Sequence, residues 1–307
     1  MILTSKNNNP TVAVIGSTSM VGSRFCELAT ANLKLIKADL HGNIEIDITN
    51  KESTDKFFKN HRFEWIILFS AFTDVDQAEK QRDDKNGACW QINVQGTANV
   101  ASACLAYQRN LIFTSTDFVF DGTKGPYTED DKPGPNLSKV SWYGISKIEA
   151  EKIASRLREF IILRISFPYR ANFLNKNDFA KNILRKYRLG NLYPMFSDQK
   201  LTPTFIDDLA PAITLLIKKN QRGIFHLVSP EVTTPYEFAK NLISTFGGNP
   251  NEIKKGSIIK LLNGKNSTPR PVAGGLKVTK IIKAGFMPTN WKDGIAKIFS
   301  QSRGQLI

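Results

Sequence analysis

The sequence predicts an α/β protein: a doubly wound parallel sheet with a smaller, interleaved C-terminal lobe. Three observations predict it. Short apolar runs of the kind that buried parallel strands show alternate with helical periods up to about residue 165. The first of these runs leads into a glycine-bounded turn that opens a helix. Beyond residue 165 the alternation loosens, which assigns residues 1–165 to the sheet domain and 166–307 to the second, interleaved lobe.

The first strand is TVAVI, Thr11–Ile15, followed by Gly16-Ser-Thr-Ser-Met-Val-Gly22 and a helix to about residue 31. Strand, glycine turn and helix make a Rossmann-like, dinucleotide-binding opening, in which N–H groups at the helix start can hold a pyrophosphate. Ser19 stands where a central glycine would let backbone approach phosphate; its hydroxyl is small and can donate instead. A second strand over 33–38 ends at Asp39. An acidic residue about 20 positions after the glycines bonds ribose hydroxyls and repels a 2′-phosphate, a tilt towards NAD over NADP, with Lys37 and His41 close by. Asp47-Ile48-Thr49 precedes a helix from Ser53 to about residue 60.

Residues 64–70 form the third strand and exit into the loop 71–76, at the same carboxyl edge as the glycine turn. A helix over 87–107 carries an apolar stripe at Val94, Ala98, Ala101 and Leu105, with Asn93 beside it as a packing amide or part of a site. The strand 111–114 delivers Thr116 to its carboxyl edge. About two dozen loop residues rich in Pro, Gly and Asp then precede a helix opening at Tyr143. Strands at 160–165, 191–196 and 224–228 follow, with helices at 178–189, 204–220, 236–246, 278–284 and 291–299. The stretch 249–275 is loop-rich and includes Arg270.

Tyr143 and Lys147, four apart, share one helix face about 5.4 Å along the axis. A phenol with a pKa near 10 is a poor proton exchanger at neutral pH, and a neighbouring lysine cation lowers that value. The Thr116 hydroxyl can bond the same oxygen and polarise a carbonyl. That set suits a carbonyl reductase, with hydride to carbon and a proton from Tyr143 to oxygen. The spacing is common by itself. The weight comes from convergence: Gly16, the 71–75 loop, Thr116 and the 167–169 segment all gather at strand carboxyl ends, where such sheets bind ligands.

The 307 residues carry a formal charge of +14, but the basic residues are spread, with one dense group at 181–188 on a helix. No zinc pattern, basic arm or aromatic-rich RNA signature accompanies them, so no nucleic-acid partner is expected. A positive field attracts anionic substrates instead. No apolar run reaches 18 residues, and the opening residues lack the long apolar segment of a secretory signal; no membrane partner is expected. Three scattered cysteines, Cys26, Cys89 and Cys104, fit a reduced cytoplasmic protein without a metal site.

Several long segments carry a family resemblance. SAFTDVDQAE (70–79), INVQGTANVA (92–101), STDFVFDG (115–122), GPYTEDDKPGP (125–135), YGISKIEAE (143–151) and DQKLTPTFIDDLA (198–210) resemble the extended short-chain dehydrogenase/reductases, specifically the dTDP-4-dehydrorhamnose reductase family. TPRPVAGGLKVTK (268–280) is similar in a more degenerate form. The resemblance implies a catalytic trio of Thr116, Tyr143 and Lys147. It implies Gly16, Ser19, Met20, Val21 and Gly22 at the pyrophosphate, Asp47 and Ile48 flanking adenine, and Ala71 and Phe72 along the cofactor channel. Lys147 would bond the nicotinamide ribose, Thr73, Val75, Phe118 and Phe167 would lie near the sugar, and Arg270 would take phosphates.

The resemblance thus implies NAD(H) or NADP(H), a nucleotide-sugar substrate and reduction at C4 of a 6-deoxy-4-keto sugar, expected to be dTDP-4-dehydro-L-rhamnose. A homodimer is a candidate assembly. Four positions depart from the family: Ser19 for glycine, Phe118 for tyrosine, Phe167 for tryptophan and Gly274 for serine. The last three bear on which sugar is bound. Two alternatives stay open. One is a non-catalytic NAD(P)-binding subunit similar to the regulatory subunit of methionine adenosyltransferase; the other is a sugar-nucleotide epimerase or dehydratase. Asp117 with no glutamate after it fits the reductase pattern better than the dehydratase one.

Overall fold

The computed structural model describes residues 9–173, 175–264 and 267–306. Its strands are β1 (Thr11–Ile15), β2 (Lys34–Ala38), β3 (Trp65–Leu68), β4 (Asn110–Thr116), β5 (Phe160–Ile165), β6 (Met195–Phe196), β7 (Gly223–His226) and β8 (Lys255–Gly256). Six of them form one parallel sheet in the order β2-β1-β3-β4-β5-β7, and β6 pairs with β8 apart from it. Alternate side chains sort the central strands between two cores, as the two-residue period of a strand requires. Val12, Val14, Ile67, Ile112 and Leu163 face the helices Met20–Ala29 and Leu209–Lys218. Ala13, Ile15, Ile66, Leu68 and Phe113 face the helices Lys51–Asn60, Gly96–Tyr107 and Trp142–Ala154. The doubly wound parallel sheet is therefore present, and the second half of the chain supplies both β7 and one of its covering helices.

A third core belongs to the C-terminal lobe. Ile183 and Leu184 of the helix Phe179–Arg188, Phe238 and Leu242 of Pro235–Thr245, and Ile295 and Ile298 of Trp291–Gln301 pack there around Tyr169.

Several local expectations change. The stripe Val94–Ala98–Ala101–Leu105 is only partly the buried face: Val94 and Ala101 are buried, but Leu105 is 63% exposed and Val100, Ala103 and Cys104 complete the buried side. A single π turn, Gln91–Gln95, precedes Gly96–Tyr107 and shifts the helical register, which a constant 3.6-residue period misses. The loop after β3 contains a short helix, Val75–Glu79, whose start is capped by Asp74 accepting from Gln77 N at 3.0 Å. The helix expected from Ser53 begins at Lys51, because Asn50 caps it by accepting from Ser53 N at 3.1 Å. The expected strand 191–196 shrinks to β6, with a partner, β8, inside the stretch read as loop. The helix expected over 204–220 begins with a 3₁₀ turn, Ile206–Asp208. Among the described residues no helix is long and apolar enough to cross a membrane.

Candidate active site

At the carboxyl ends of the central strands lies a cleft of about 810 Å³. Its first wall is the turn after β1. Gly16 has φ +86°, a left-handed conformation, and a Cβ there would meet Ser70 N at 2.7 Å. A Cβ on Gly22 would sit 2.1 Å from Gly16 O, so this glycine lets the helix start fold back on the turn. Ser19 caps that helix, its Oγ accepting from Gly22 N at 3.0 Å. The hydroxyl hydrogen is left for an acceptor in the cleft, which Ser19, Met20 and Val21 line. Gly22 itself lies behind the wall.

Asp39 at the end of β2 also lines the cleft. Its Oδ2 accepts from Thr18 N at 2.9 Å and Thr18 Oγ1 at 2.7 Å, and its Oδ1 accepts from Leu40 N at 2.8 Å. Asp47 orders the next loop by accepting from Thr49 N at 2.8 Å and Thr49 Oγ1 at 2.7 Å. The Ile48 carbonyl accepts from Asn99 Nδ2 at 2.8 Å. Ala71 is on the wall, but Phe72 is not: its ring packs against the cluster of Ala78, Cys89, Trp142 and Tyr143. The Phe72 backbone is gripped at both ends by buried Asn93, donating from N to Oδ1 at 2.8 Å and accepting at O from Nδ2 at 3.1 Å. The same Nδ2 donates to Ser146 Oγ at 2.9 Å. Asn93, left open between packing and site, is the tie that fixes the 71–72 loop to the Tyr143 helix.

Thr116 ends β4, and Tyr143 stands in the first turn of the helix Trp142–Ala154, whose start Ser141 caps. Gly144 allows the close approach, since a Cβ there would lie 2.2 Å from Phe118 O. The Thr116 hydroxyl lies near enough to the Tyr143 phenol to favour its ionised form, while it donates to Asp117 Oδ1 at 3.3 Å. Phe118 meets the Tyr143 ring edge-on at 5.9 Å and the Phe167 ring at a tilt at 6.3 Å. Burial pushes the phenol pKa up; the Thr116 hydroxyl works against this and the nearby Asp117 adds to it.

Lys147 is buried, its Nζ donating to Thr114 O at 2.7 Å and lying 4.0 Å from the Phe113 ring centroid. Burial lowers its pKa to about 7, against the opposing charge of Glu151 one turn on. The expected lowering of the phenol pKa by Lys147 is therefore not what this geometry gives: Tyr143 is a neutral donor and the amine is directed at the β4 backbone. Asp117 is likewise buried, and burial raises its pKa to about 6 despite hydrogen bonds from Ser166 Oγ at 2.7 Å and Thr116 Oγ1 at 3.3 Å. Thr114 Oγ1 and Ser115 Oγ are buried on the same wall without protein partners. A glycine cradle and two partnerless hydroxyls beside it fit a bound dinucleotide.

Thr73, Val75, Phe118, Phe167 and Arg270 line the opposite side. Arg270 reaches across from the lobe, its Nη2 donating to both carboxylate oxygens of Asp76 at 2.8 Å. Lys176 makes a second bridge, donating from Nζ to Thr73 Oγ1 at 3.0 Å. At Gly274 a Cβ would meet Lys200 O at 2.8 Å, so the local backbone disfavours the serine of the family pattern. The residues missed from sequence include Thr18, Ser115, Asp117, Phe173, Lys176, Asn177 and Asn182. The strand-end rule applied to β5 would have found the 173–182 group; nothing in the spacing points to Lys176 individually.

Known proteins resemble this chain over most of its length. The dTDP-4-dehydrorhamnose reductase of Aggregatibacter actinomycetemcomitans is 28% identical over 265 residues, 83% of this chain and 86% of its own length. A probable low-salt glycan biosynthesis reductase of Haloferax volcanii is 28% identical over 230 residues, 74% of each chain. The crystal structure of dTDP-4-dehydrorhamnose reductase from Bacillus anthracis in complex with NADP superimposes with a TM-score of 0.82 at 26% identity, covering 96% of this chain and 100% of that one. The model of the RmlD substrate binding domain family matches residues 10–303. With nearly its whole length matched, the chain belongs to the RmlD substrate binding domain family.

Proposed function

We propose that the protein is an NAD(P)H-dependent reductase of a nucleotide-linked 6-deoxy-4-keto sugar, converting dTDP-4-dehydro-L-rhamnose to dTDP-L-rhamnose. The observation that carries this reading is the pair of buried hydroxyl groups, Thr116 and Tyr143, in one cleft with the Gly16–Gly22 cradle. The names of the relatives support it. Gly16, Ser19, Met20 and Val21 would hold the pyrophosphate, with Gly22 allowing the turn; Asp39, Asp47 and Ile48 would hold the adenosine end, and Ala71, Ser115 and Lys147 the nicotinamide end. When bound, the nicotinamide supplies hydride to the C4 carbon.

The chain's own residues handle the oxygen. Thr116 Oγ1 donates to the carbonyl oxygen and orients it, and Tyr143 transfers its phenolic proton as charge builds there. Burial, which keeps the phenol neutral at rest, makes the resulting phenolate a strong base that promptly regains a proton. Lys147 near neutrality can carry or release one at the β4 end of the cleft. Arg270 and Lys176 suit the diphosphate. The acidic Asp39 supports preference for NADH over NADPH, since it would face a 2′-phosphate.

The division of labour we propose is cofactor on residues 1–165 and most of the substrate on 166–307, with Thr73, Val75, Thr116 and Phe118 of the first half reaching the sugar. Three free, buried cysteines support a cytoplasmic setting. A homodimer is the proposed assembly, which light scattering tests.

Absorbance at the reduced-nicotinamide band, with NADH or NADPH in turn and freshly generated dTDP-4-dehydro-L-rhamnose, tests the whole reading. Signal should fall in step with product and stop almost wholly in Tyr143→Phe, by about 10²–10⁴-fold, with cofactor binding retained. Near-normal turnover in that variant, or product formed without net cofactor consumption, refutes it.

A further inference from the structure

The charge of this chain is divided unevenly. Residues 1–165 hold 20 Lys and Arg against 20 Asp and Glu, whereas residues 166–307 hold 22 against 8, so the entire +14 sits on the second half. Within that half the stretches between Asp178 and Asp198 and between Glu252 and Asp293 are free of acidic residues. The parallel pairing of β6 with β8, Met195 with Lys255 and Phe196 with Gly256, lays these two stretches side by side.

The resulting face combines cations with exposed apolar groups. Arg185 and Lys186 are exposed at the end of the helix Phe179–Arg188, followed by Leu189 at 64% and Tyr193 at 44% exposure. Beside them are Lys254, Lys255 and Lys260, with Ile259 and Leu261 each 49% exposed on the short helix Ile258–Leu262, which is anchored by buried Ile258. Lysines lie over the rings that join the parts: Lys186 is 4.7 Å from Tyr193, and Lys255 and Lys240 are 5.2 and 5.6 Å from Tyr236. The acidic groups near this face are committed elsewhere or sit at its margin. Glu252 bonds Tyr187 and Asn249, Asp198 bonds Ser257 and the Ile258 N–H, and Glu237 lies in the first turn of the helix Pro235–Thr245.

Compensation of a helix dipole accounts for one or two cations at a helix end. It does not account for aliphatic side chains exposed among lysines brought in from a second segment. A phosphate backbone would use the cations and leave Leu189, Ile259 and Leu261 idle. A lipid surface uses both: lysine and arginine at anionic headgroups, and leucine, isoleucine and tyrosine at the boundary beneath. We propose that this face docks the protein on an anionic lipid membrane as a peripheral, electrostatically held contact.

Co-sedimentation of the full chain with vesicles tests this. Vesicles of phosphatidylcholine containing phosphatidylglycerol should pellet the protein, pure phosphatidylcholine should not, and binding should fall steeply with added salt. The double variant Arg185→Glu/Lys186→Glu should lose at least about tenfold in vesicle affinity. Leu189→Ser/Ile259→Ser should weaken binding while keeping its salt dependence. Lys218→Glu/Lys283→Glu, on other helices of the same basic half, should bind like the parent. All should keep the parental turnover and urea midpoint. Equal pelleting with and without phosphatidylglycerol, an equal loss from Lys218→Glu/Lys283→Glu, or binding to single-stranded RNA with none to vesicles would each overturn the proposal.

Discussion

Burial decides what Tyr143 and Lys147 can do. Both are groups that water would leave in their ordinary protonation states near neutral pH, and both are moved by the low-dielectric wall of the cleft, the phenol upwards and the amine down to about 7. For Lys147 the consequence for stability has a definite sign. The unfolded chain binds this proton up to its ordinary pKa near 10.4, whereas the folded protein releases it near 7. Between those limits the unfolded state holds more protons, so stability rises with pH across the window and is flat in this group below it. Urea midpoints of the parent and Lys147→Met at pH 5, 6, 7.5 and 9 should show the parent gaining on the variant from 7.5 to 9 and not between 5 and 6. A gap that stays constant to pH 9 would mean the amine is not desolvated as described. The sequence made Tyr143 and Lys147 legible through their spacing and helix. It could not show that Lys147 Nζ points at Thr114 O, because that depends on how closely Gly144 lets the helix approach Phe118 in the turn after β4.

At the level of elements, the helix Trp142–Ala154 is held from two sides by polar groups that periodicity cannot rank. On one side Asn93 links it, through Ser146, to the Phe72 backbone. Asn93→Ala should cost about 1–3 kcal/mol by leaving the Phe72 N–H and carbonyl unpaired, and should raise the cofactor KM more than it lowers kcat, which steady-state kinetics and urea unfolding together would check. On the other side Glu151 accepts from Arg164 of β5 at 2.9 and 2.7 Å, and Arg164 is fully buried, with His226 of β7 at 3.3 Å. His226 stays neutral, its pKa held down to about 3 by burial and by Arg164. Glu151→Gln strands the guanidinium in the core and should cost about 3–5 kcal/mol in denaturant unfolding; a loss under about 1 kcal/mol would contradict a buried ion pair. The strands β1, β3, β4 and β5 were legible because each is a short apolar run. The π turn, β8 and the helix Val75–Glu79 were not, since a shifted register, two-residue pairing and a single side-chain cap leave little trace in composition.

Across the whole molecule, the boundary near residue 165 does not divide the structure. Strand β7 pairs with β5 through residues 161–164, and the helix Leu209–Lys218 covers the sheet face formed by Val12, Val14, Ile67, Ile112 and Leu163. Polar ties cross the same boundary. Arg24 donates to Asp207 at 2.7 and 2.6 Å, and Arg170 donates to Met20 O at 3.1 Å and Ser23 Oγ at 2.9 Å, clamping the lobe to the helix that begins at the glycine turn. Cutting the chain at 165 would expose an apolar sheet face and an unpaired β5 edge, a loss much larger than the few kcal/mol by which a domain of this size is stable. A fragment of residues 1–165 should therefore keep helical far-ultraviolet circular dichroism but lose near-ultraviolet signal and a cooperative urea transition, and should bind a hydrophobic dye. A cooperative transition in the isolated fragment would show that the cofactor half folds alone and that the lobe is an addition to it. Its absence would mean that the C-terminal lobe is part of the fold that shapes the cleft, so that changes at Phe167 and Arg270 on the cleft wall can be transmitted to the glycine turn through shared core and clamps.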